Sequence, residues 1–119
     1  MSYHKQLGRR GEAVAAEFLQ KKGYEILARN FYYKKAELDL IVFKDEVVVI
    51  VEVKTRNSDF FGDPQRFVTP KKIKLMVRAA DAFVQQKQWN YELRFDIVAV
   101  VLNSKQRQIT HITDAFYHF

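Results

Sequence analysis

Residues 36 to 56, "AELDLIVFKDEVVVIVEVKTR", constrain the fold more than any other stretch, because they read as two strands of a buried sheet. Both runs are rich in apolar and β-branched residues, and the polar letters "KDE" mark the turn that joins them. Four charged residues stand inside the strands and away from that turn: Glu37, Asp39, Glu52 and Lys54. Charged side chains are almost never fully buried unless they are paired or bound, so each of these four needs a partner.

The alternation of side chains along a strand predicts how the two strands align. An even-numbered turn around residues 45 and 46 sets Asp39 opposite Glu52 and Glu37 opposite Lys54. It also brings the aliphatic residues together on the other face, namely Leu38, Leu40 and Val42 with Val53, Val51 and Val49. A one-residue slip would move Glu52 onto the aliphatic face, so the pattern favours the first register.

Asp39 and Glu52 are then direct cross-strand neighbours, with Cβ atoms roughly 5 Å apart, and two like charges so placed destabilise a sheet. Lys54 is one candidate for the compensating cation, since it lies on the same face as Glu52 and roughly 7 Å along the strand. A divalent cation is the other candidate, because Mg²⁺ is typically held by one or two carboxylates, waters and phosphate oxygens. A buried ion-pair network with no ligand remains open as the alternative.

The rest of the chain predicts a single mixed α/β domain over residues 1–119, with no linker, repeat or low-complexity tract. A helix over about residues 3 to 22 precedes the first strand. A second helix follows Thr69, a plausible N-cap, and has Pro70 at its first position. The predicted order is α-β-β-β-α-β-β, in which the helices flank a central mixed sheet of four to five strands.

Composition limits the partners of this domain. The net charge of +6 and the isoelectric point near 9.6 favour a polyanionic partner. The absence of cysteine excludes disulfides and thiolate zinc sites and is compatible with a cytoplasmic location, which we expect. No apolar run approaches the ~18 residues that span a membrane, and the N-terminus has no apolar core of a signal peptide, so no membrane partner is expected.

Glu12 is the candidate for a third acidic group of the site. It shares a helical stripe with three apolar residues, which predicts that it points toward the sheet: Ala15, Ala16 and Leu19. Gly8 and Gly11 would permit a close approach of the helix backbone to that sheet. The alternative is a partly exposed helix acid that interacts with Arg9.

Basic residues outside the strands are candidates for phosphate contacts. Three of them, spaced i, i+3 and i+7, fall on one stripe of the second helix, and a fourth follows the charged strand: Lys71, Lys74, Arg78 and Arg56. The alternative for such a stripe is a solvated helix face. Asp96, in "RFDIVAV", is expected to pair with Arg94 or to support a neighbouring element, and whether it is a direct site residue stays open, as does the role of Glu37.

Aromatic and histidine residues give weaker signals. Four aromatic side chains could stack on nucleic-acid bases, although aromatics of a small domain more often belong to the core: Tyr32, Tyr33, Phe60 and Phe61. The three histidines have no compact ligand spacing, so none is expected to bind a metal: His4, His111 and His118.

The spacing of Asp39 and "EVK" after an N-terminal helix with Glu12 resembles the PD-(D/E)XK nuclease superfamily, and "VEVKTR" looks like the motif strand of archaeal Holliday junction resolvases. Nearly the whole chain resembles the YraN-like family of uncharacterised bacterial proteins. The matching segments are "GRRGEAVAAEFLQKKGYEILARNF", "AELDLI", "VEVKTR", "FGDPQRFVTPKK" and "RFDIVAV".

The resemblance implies a restriction-endonuclease-like fold and a metal-dependent endonuclease that acts on DNA, including branched DNA. It implies Asp39 and Glu52 as ligands of Mg²⁺ or Mn²⁺, Lys54 as the catalytic lysine and Glu12 as an accessory acid. One site cuts one strand, so a homodimer is plausible. A non-catalytic nucleic-acid-binding protein that retains this fold is the main alternative, and a structural protein whose charges only fix the strand register is a further one.

Overall fold

The computed structural model describes residues 2–58 and 63–116, and within them two helices cover a five-stranded sheet. The elements are α1 Tyr3–Lys21, β1 Glu25–Tyr33, β2 Ala36–Lys44, β3 Val47–Arg56, α2 Pro70–Lys87, β4 Glu92–Leu102 and β5 Arg107–Ile112, with a short 3-10 turn at Pro64–Phe67. The strands are ordered β1-β2-β3-β4-β5, and all neighbours are antiparallel except the parallel pair β3 and β4. The predicted α/β class and element order are confirmed.

Local sequence signals start both helices, including the predicted Thr69 cap, and a glycine follows the first helix. The Ser2 hydroxyl accepts a hydrogen bond from the Lys5 N–H at the start of α1, and Gly23 follows its end at a φ of 97°. The Thr69 hydroxyl accepts from the Lys72 N–H at the start of α2. In the described part of the chain, neither helix is long and apolar enough to cross a membrane.

The two helices pack on opposite faces of the sheet, because the residues they cover alternate along β3. The α1-side core joins α1 to one set of strand residues, which includes Val42, Val49, Val51 and Val98. The α2-side core joins α2 to the other set, which includes Ile41, Val48, Ile50 and Phe95. Apolar side chains on both faces explain why β3 and β4 are continuous hydrophobic runs at the centre of the sheet.

The predicted register between β2 and β3 is confirmed, since backbone pairing runs from Lys44 opposite Val47 to Leu40 opposite Val51. One detail of the predicted faces is wrong. Leu38 packs in the α2-side core, whereas Leu40 packs in the α1-side core.

The alternation of β2 therefore changes phase beside Asp39. The physical reason is that the backbone ladder between β2 and β3 ends here. The Asp39 carboxylate accepts the Val53 N–H at 2.8 Å in place of a backbone oxygen. The predicted contact between Glu37 and Lys54 is consequently replaced by contacts of Glu37 on the α1 side.

Gly11 fixes how closely α1 approaches β3. A Cβ atom at Gly11 would lie 1.8 Å from Thr55 Oγ1, so only glycine permits this packing, as predicted. The same expectation is wrong for Gly8, which has no atom within 4 Å of such a Cβ. The close packing at Gly11 brings the next residue, Glu12, to the sheet near the end of β3.

Candidate functional site

Asp39 and Glu52 form a pair of carboxylates at the point where β2 and β3 separate. Glu52 is only 4% exposed, and Asp39 is half-buried with one oxygen held by the Val53 N–H. Burial, followed by the negative charge of Glu52, raises the pKa of Asp39 to about 8 from an ordinary value of 3.8. The two acids are thus adjacent, as predicted, and their repulsion contributes to the raised pKa of Asp39.

The cation that pairs with Glu52 is Lys72 of α2, a residue that the sequence did not single out. The Lys72 ammonium contacts Glu52 Oε2, and its side chain remains 39% exposed. One signal could have identified it. Lys72 precedes the buried Met76 by four residues and the buried Ala79 by seven, which places it on the sheet-facing side of α2.

Lys54 lies beside this pair without forming an ion pair among the described residues. Its Nζ stands 4.9 Å from the centroid of the Phe67 ring, and Arg56 Cζ stands 4.8 Å from the same centroid. Burial lowers the pKa of Lys54, and the nearby charges of Arg56 and Lys72 lower it further. The two lysines at the site therefore differ, because Lys72 is paired to Glu52 whereas Lys54 is held over an aromatic ring.

Glu12 and Glu37 form a second acidic group on the α1 side. With its side-chain nitrogen turned toward them, Asn30 lies 3.0 Å from Glu37 Oε2 and 3.2 Å from Glu12 Oε1. Burial raises the pKa of Glu12, and the charges of Glu37 and Glu52 raise it further. A hydrogen bond to Glu37 raises the pKa of the exposed Tyr32 hydroxyl. Glu12 thus lies within electrostatic reach of Glu52, and Asn30 is a bridging residue that the sequence did not indicate.

The predicted basic stripe of α2 is exposed and lies apart from the carboxylates. Lys71, Lys74 and Arg78 all face solvent, whereas Lys72 between them turns to the sheet. They are free to meet a large anionic partner, but none contacts Asp39 or Glu52. Arg56 is half-buried at the end of β3 and close to the site through Phe67.

Asp96 lies outside this site, in a separate network on the α1 side. Arg94 donates two hydrogen bonds to it, from Nε at 2.9 Å and from Nη2 at 2.8 Å. His111 Nε2 lies 2.8 Å from it, and the Asp114 N–H donates at 3.0 Å. Burial alone would raise the pKa of Asp96, but the bonds from His111 and Arg94 outweigh burial and lower it. The anticipated pair with Arg94 is confirmed.

The histidines and aromatic residues considered in the sequence lie apart from the carboxylate pair or outside the described residues. Lys22 Nζ lies 2.9 Å from His111 Nδ1, so Nδ1 accepts and His111 donates to Asp96 through Nε2. Tyr32 is 69% exposed, and Tyr33 packs against the α2-side core. Phe60, Phe61 and His118 lie outside the described residues.

The oxygen donors at Asp39 and Glu52 suit a hard cation such as Mg²⁺ or Mn²⁺. No group of three or more His, Cys, Asp or Glu side chains within residues 2–58 and 63–116 is arranged to hold a metal. Two carboxylates are still enough for Mg²⁺, which keeps several waters and takes further oxygens from a phosphate. The raised pKa of Asp39 is consistent with this fit, since Lys72 pairs with Glu52 and a bound cation would offset the charge of Asp39 as well.

Comparison with known proteins places most of the chain in one group. Residues 11–100 match the model of "Uncharacterised protein family UPF0102". A UPF0102 protein of Flavobacterium psychrophilum is 51% identical over 119 residues, and one of Flavobacterium johnsoniae is 49% identical, with all of each chain covered. A UPF0102 protein of Clostridium perfringens is 38% identical over 96% of both chains.

Proposed function

This chain belongs to the uncharacterised protein family UPF0102, which confirms the YraN-like resemblance, and we propose that it is a metal-dependent endonuclease that hydrolyses phosphodiester bonds in DNA. One observation carries this proposal. Two adjacent carboxylates, Asp39 and Glu52, lie beside two lysines, Lys54 and Lys72, in a basic domain. Membership of the PD-(D/E)XK superfamily is part of the proposal.

The acids and lysines divide the chemistry between them. Asp39 and Glu52 would hold the cation, which when bound would polarise the phosphate and lower the pKa of a water molecule. Lys54, whose charge no acid neutralises among the described residues, stabilises the negative charge that develops on the phosphate oxygens. Glu12 supplies an accessory carboxyl group from the α1 side, where its raised pKa allows it to hold a proton.

Lys72 has two roles in this proposal. Without ligand, its ammonium neutralises part of the charge at Glu52 and so reduces the repulsion between the two acids. A cation held by Glu52 would take the place of this ammonium, and the partly exposed Lys72 side chain could then contact a phosphate oxygen of the DNA. Lys72 thereby links occupation of the metal site to binding of the strand.

The wider basic surface supports DNA as the partner. Lys71, Lys74 and Arg78 project from the same helix as Lys72, and Arg56 extends the positive charge beyond β3. One site cleaves one strand, so cleavage of both strands of a duplex or a branched junction requires two copies. A homodimer is therefore part of the proposal for double-strand cleavage.

A non-catalytic nucleic-acid-binding protein is the second candidate, and the ion pair between Lys72 and Glu52 favours it. A site whose more buried acid is already neutralised by a lysine needs no metal to be stable. In that case the same basic surface would bind nucleic acid, and the acids would only fix the ends of β2 and β3.

Cleavage assays separate the two candidates. The purified protein is incubated with linear duplex, single-stranded and four-way-junction DNA in Mg²⁺, Mn²⁺ or EDTA. We expect cleavage of at least one substrate with either metal, none in EDTA, and a rate at least about 100-fold lower for Glu52→Gln and for Lys54→Ala.

Glu17→Gln is the matched control, because Glu17 is an exposed helix acid on α1 and pairs only with surface cations. Its rate should equal that of the wild type. Retained DNA binding with no metal-dependent cleavage of any substrate would establish the second candidate. Equal cleavage by the wild type and Glu52→Gln would show that the activity does not come from this site.

A further inference from the structure

A small cavity lies between the β1–β2 turn and α2, on the face of the sheet that carries Glu52. Its volume is about 170 Å³. Within the described part of the chain, its lining combines two apolar side chains with three cations and contains no acid: Tyr33, Leu75, Lys34, Lys35 and Arg78. The Lys34 Nζ lies 5.4 Å from the centroid of the Tyr33 ring. An apolar floor with a cationic rim has the chemistry to bind a flat apolar group that carries a negative charge.

We propose that this cavity holds one unpaired nucleotide of the DNA strand that enters the site. The nucleobase would lie on Tyr33 and Leu75, and its phosphate would meet Lys35 and Arg78. Ligand cavities for whole small molecules are typically about 300–1,000 Å³, so a cavity of about 170 Å³ suits one base of a longer strand better than a free multi-ring ligand. This inference rests on the proposed function, because it assumes that the neighbouring site takes DNA.

The position of the cavity relative to the carboxylates supports this assignment. Helix α2 carries both features, since Lys72 contacts Glu52 while Leu75 and Arg78 line the cavity. With a rise of 1.5 Å per residue, Arg78 lies about 9 Å along α2 from Lys72. An axial separation of this size corresponds to a few nucleotides of a DNA strand, so one strand can meet both Lys72 and the cavity.

The cavity also defines the substrate class. A base paired within a duplex hides its face in the stack and its edge in the pair, so it cannot enter a cavity. An unpaired base at a branch, a bulge or a single-stranded flank is already free to do so, and pays little to unstack. The geometry therefore favours DNA with unpaired nucleotides next to the cleavage position over uninterrupted duplex.

Binding measured in EDTA tests the cavity without any dependence on cleavage. A fluorescein-labelled 20-nucleotide single strand and the matching duplex are titrated by anisotropy at several salt concentrations. We expect Lys35→Ala and Arg78→Ala each to weaken single-strand binding about 5- to 10-fold and to reduce the slope of log K against log salt by about 0.7.

Lys21→Ala is the matched control, because Lys21 lies on α1, on the opposite face, and its removal changes the net charge equally. It should leave single-strand binding within about twofold of the wild type, since it removes no phosphate contact. If Lys21→Ala weakened single-strand binding as much as Arg78→Ala, the result would contradict the cavity proposal, because the loss would then reflect net charge alone.

Leu75→Phe tests the base rather than the phosphate, because it narrows the cavity without changing charge. A 2-aminopurine in the single strand should change its fluorescence on binding to the wild type, and this change should be lost in Leu75→Phe while the salt slope stays the same. An unchanged signal in Leu75→Phe would contradict the inference. Deoxyadenosine monophosphate at millimolar concentration should compete weakly, and competition as tight as the oligonucleotide would show that the cavity takes free nucleotides instead.

The cavity and the catalytic proposal can fail separately. Metal-dependent cleavage by a protein whose Lys35, Leu75 and Arg78 variants bind and cleave as the wild type would overturn the cavity alone. Weakened binding by these variants in a protein that never cleaves DNA would support the cavity and remove the catalysis. A wild type that binds neither single-stranded nor branched DNA would overturn the cavity.

Discussion

Two carboxylates of the same sheet, Asp39 and Asp96, are both withdrawn from water but have opposite electrostatic surroundings. Asp96 is 0% exposed and receives hydrogen bonds from Arg94, His111 and the Asp114 N–H, which lower its pKa. Asp39 has one backbone donor and a second acid as its neighbour, and its pKa is raised to about 8. The fold gives Asp96 a cationic partner, whereas among the described residues it gives Asp39 none.

Under the proposed function, this difference separates a structural acid from one that would bind a cation. The Asp96 network joins β4, β5 and the residues after them, so its hydrogen bonds connect parts of the chain that lie far apart in sequence. The Asp39–Glu52 pair also links separate elements, through the Val53 N–H and Lys72, but it carries a repulsion that the fold does not remove. Perturbed acids of this kind concentrate at functional sites, where a bound cation or substrate removes the cost.

Loss of the Asp96 charge should have the largest effect on stability. We expect Asp96→Asn to lower the free energy of unfolding by about 3–5 kcal/mol, because it leaves Arg94 without its buried partner. Urea denaturation measures this loss, and Glu17→Gln should shift the same value by no more than about 0.5 kcal/mol. A loss for Asp96→Asn as small as that of the surface variant would remove the distinction between the two acids.

Replacement of Asp39 should change stability in the opposite direction. Asp39→Asn keeps an oxygen for the Val53 N–H but removes the charge that faces Glu52, so we expect the free energy of unfolding to rise by about 0.5–2 kcal/mol near pH 8. Thermal and urea denaturation without divalent cations measure this gain. A clear destabilisation would mean that the Asp39 charge supports the fold.

The two acids should also give opposite dependences on pH. The raised pKa of Asp39 means that its favourable contribution to stability is complete below about pH 4 and is lost as the pH rises through about 8. The lowered pKa of Asp96 means that its contribution is present at neutral pH and is lost on acidification below about pH 4. Relative to the wild type, Asp39→Asn should remove the fall in stability between about pH 4 and pH 8, and Asp96→Asn should flatten the loss on acidification below about pH 4. Slopes that neither variant changes would assign the titration to other groups.

The smallest expected effect is a difference in stability loss between the two cations that pair with Glu52 and Asp96, namely Lys72 and Arg94. Lys72 is 39% exposed, so water screens part of its pair with the buried Glu52, and we expect Lys72→Gln to cost about 1–2 kcal/mol. Arg94→Gln should cost more, because Asp96 would remain as a charge with no exposure to water. Equal losses in urea denaturation would show that the Glu52 pair is as structural as the Asp96 pair.

The strand register and the meeting of Asp39 with Glu52 could be predicted because both depend on local alternation and a short turn. The side chains that complete each cluster could not. Lys72 reaches Glu52 from a helix that starts 18 residues after Glu52, and His111 reaches Asp96 from the neighbouring strand. Such contacts depend on how elements pack, which a periodic pattern does not specify.

The sequence pattern also could not predict the change of phase in β2 beside Asp39. Alternation predicts that Leu38 shares a face with Leu40, but the end of the β2–β3 ladder allows Leu38 to enter the other core. A side-chain oxygen that replaces a backbone acceptor is a local event with no composition signal. It is this event that separates Glu37 from Asp39 and places Glu37 with Glu12 and Asn30.

Calorimetric titration with Mn²⁺ tests the central claim that Asp39 and Glu52 form a cation site. At pH 7 the wild type should bind Mn²⁺ and release close to one proton, because the pKa of Asp39 is about 8, and at pH 9 it should release far less. Buffers of different ionisation enthalpy count these protons. Binding should be lost in Asp39→Asn and Glu52→Gln and retained in Glu17→Gln. No Mn²⁺ binding by the wild type, or binding that Asp39→Asn leaves unchanged, would contradict the account.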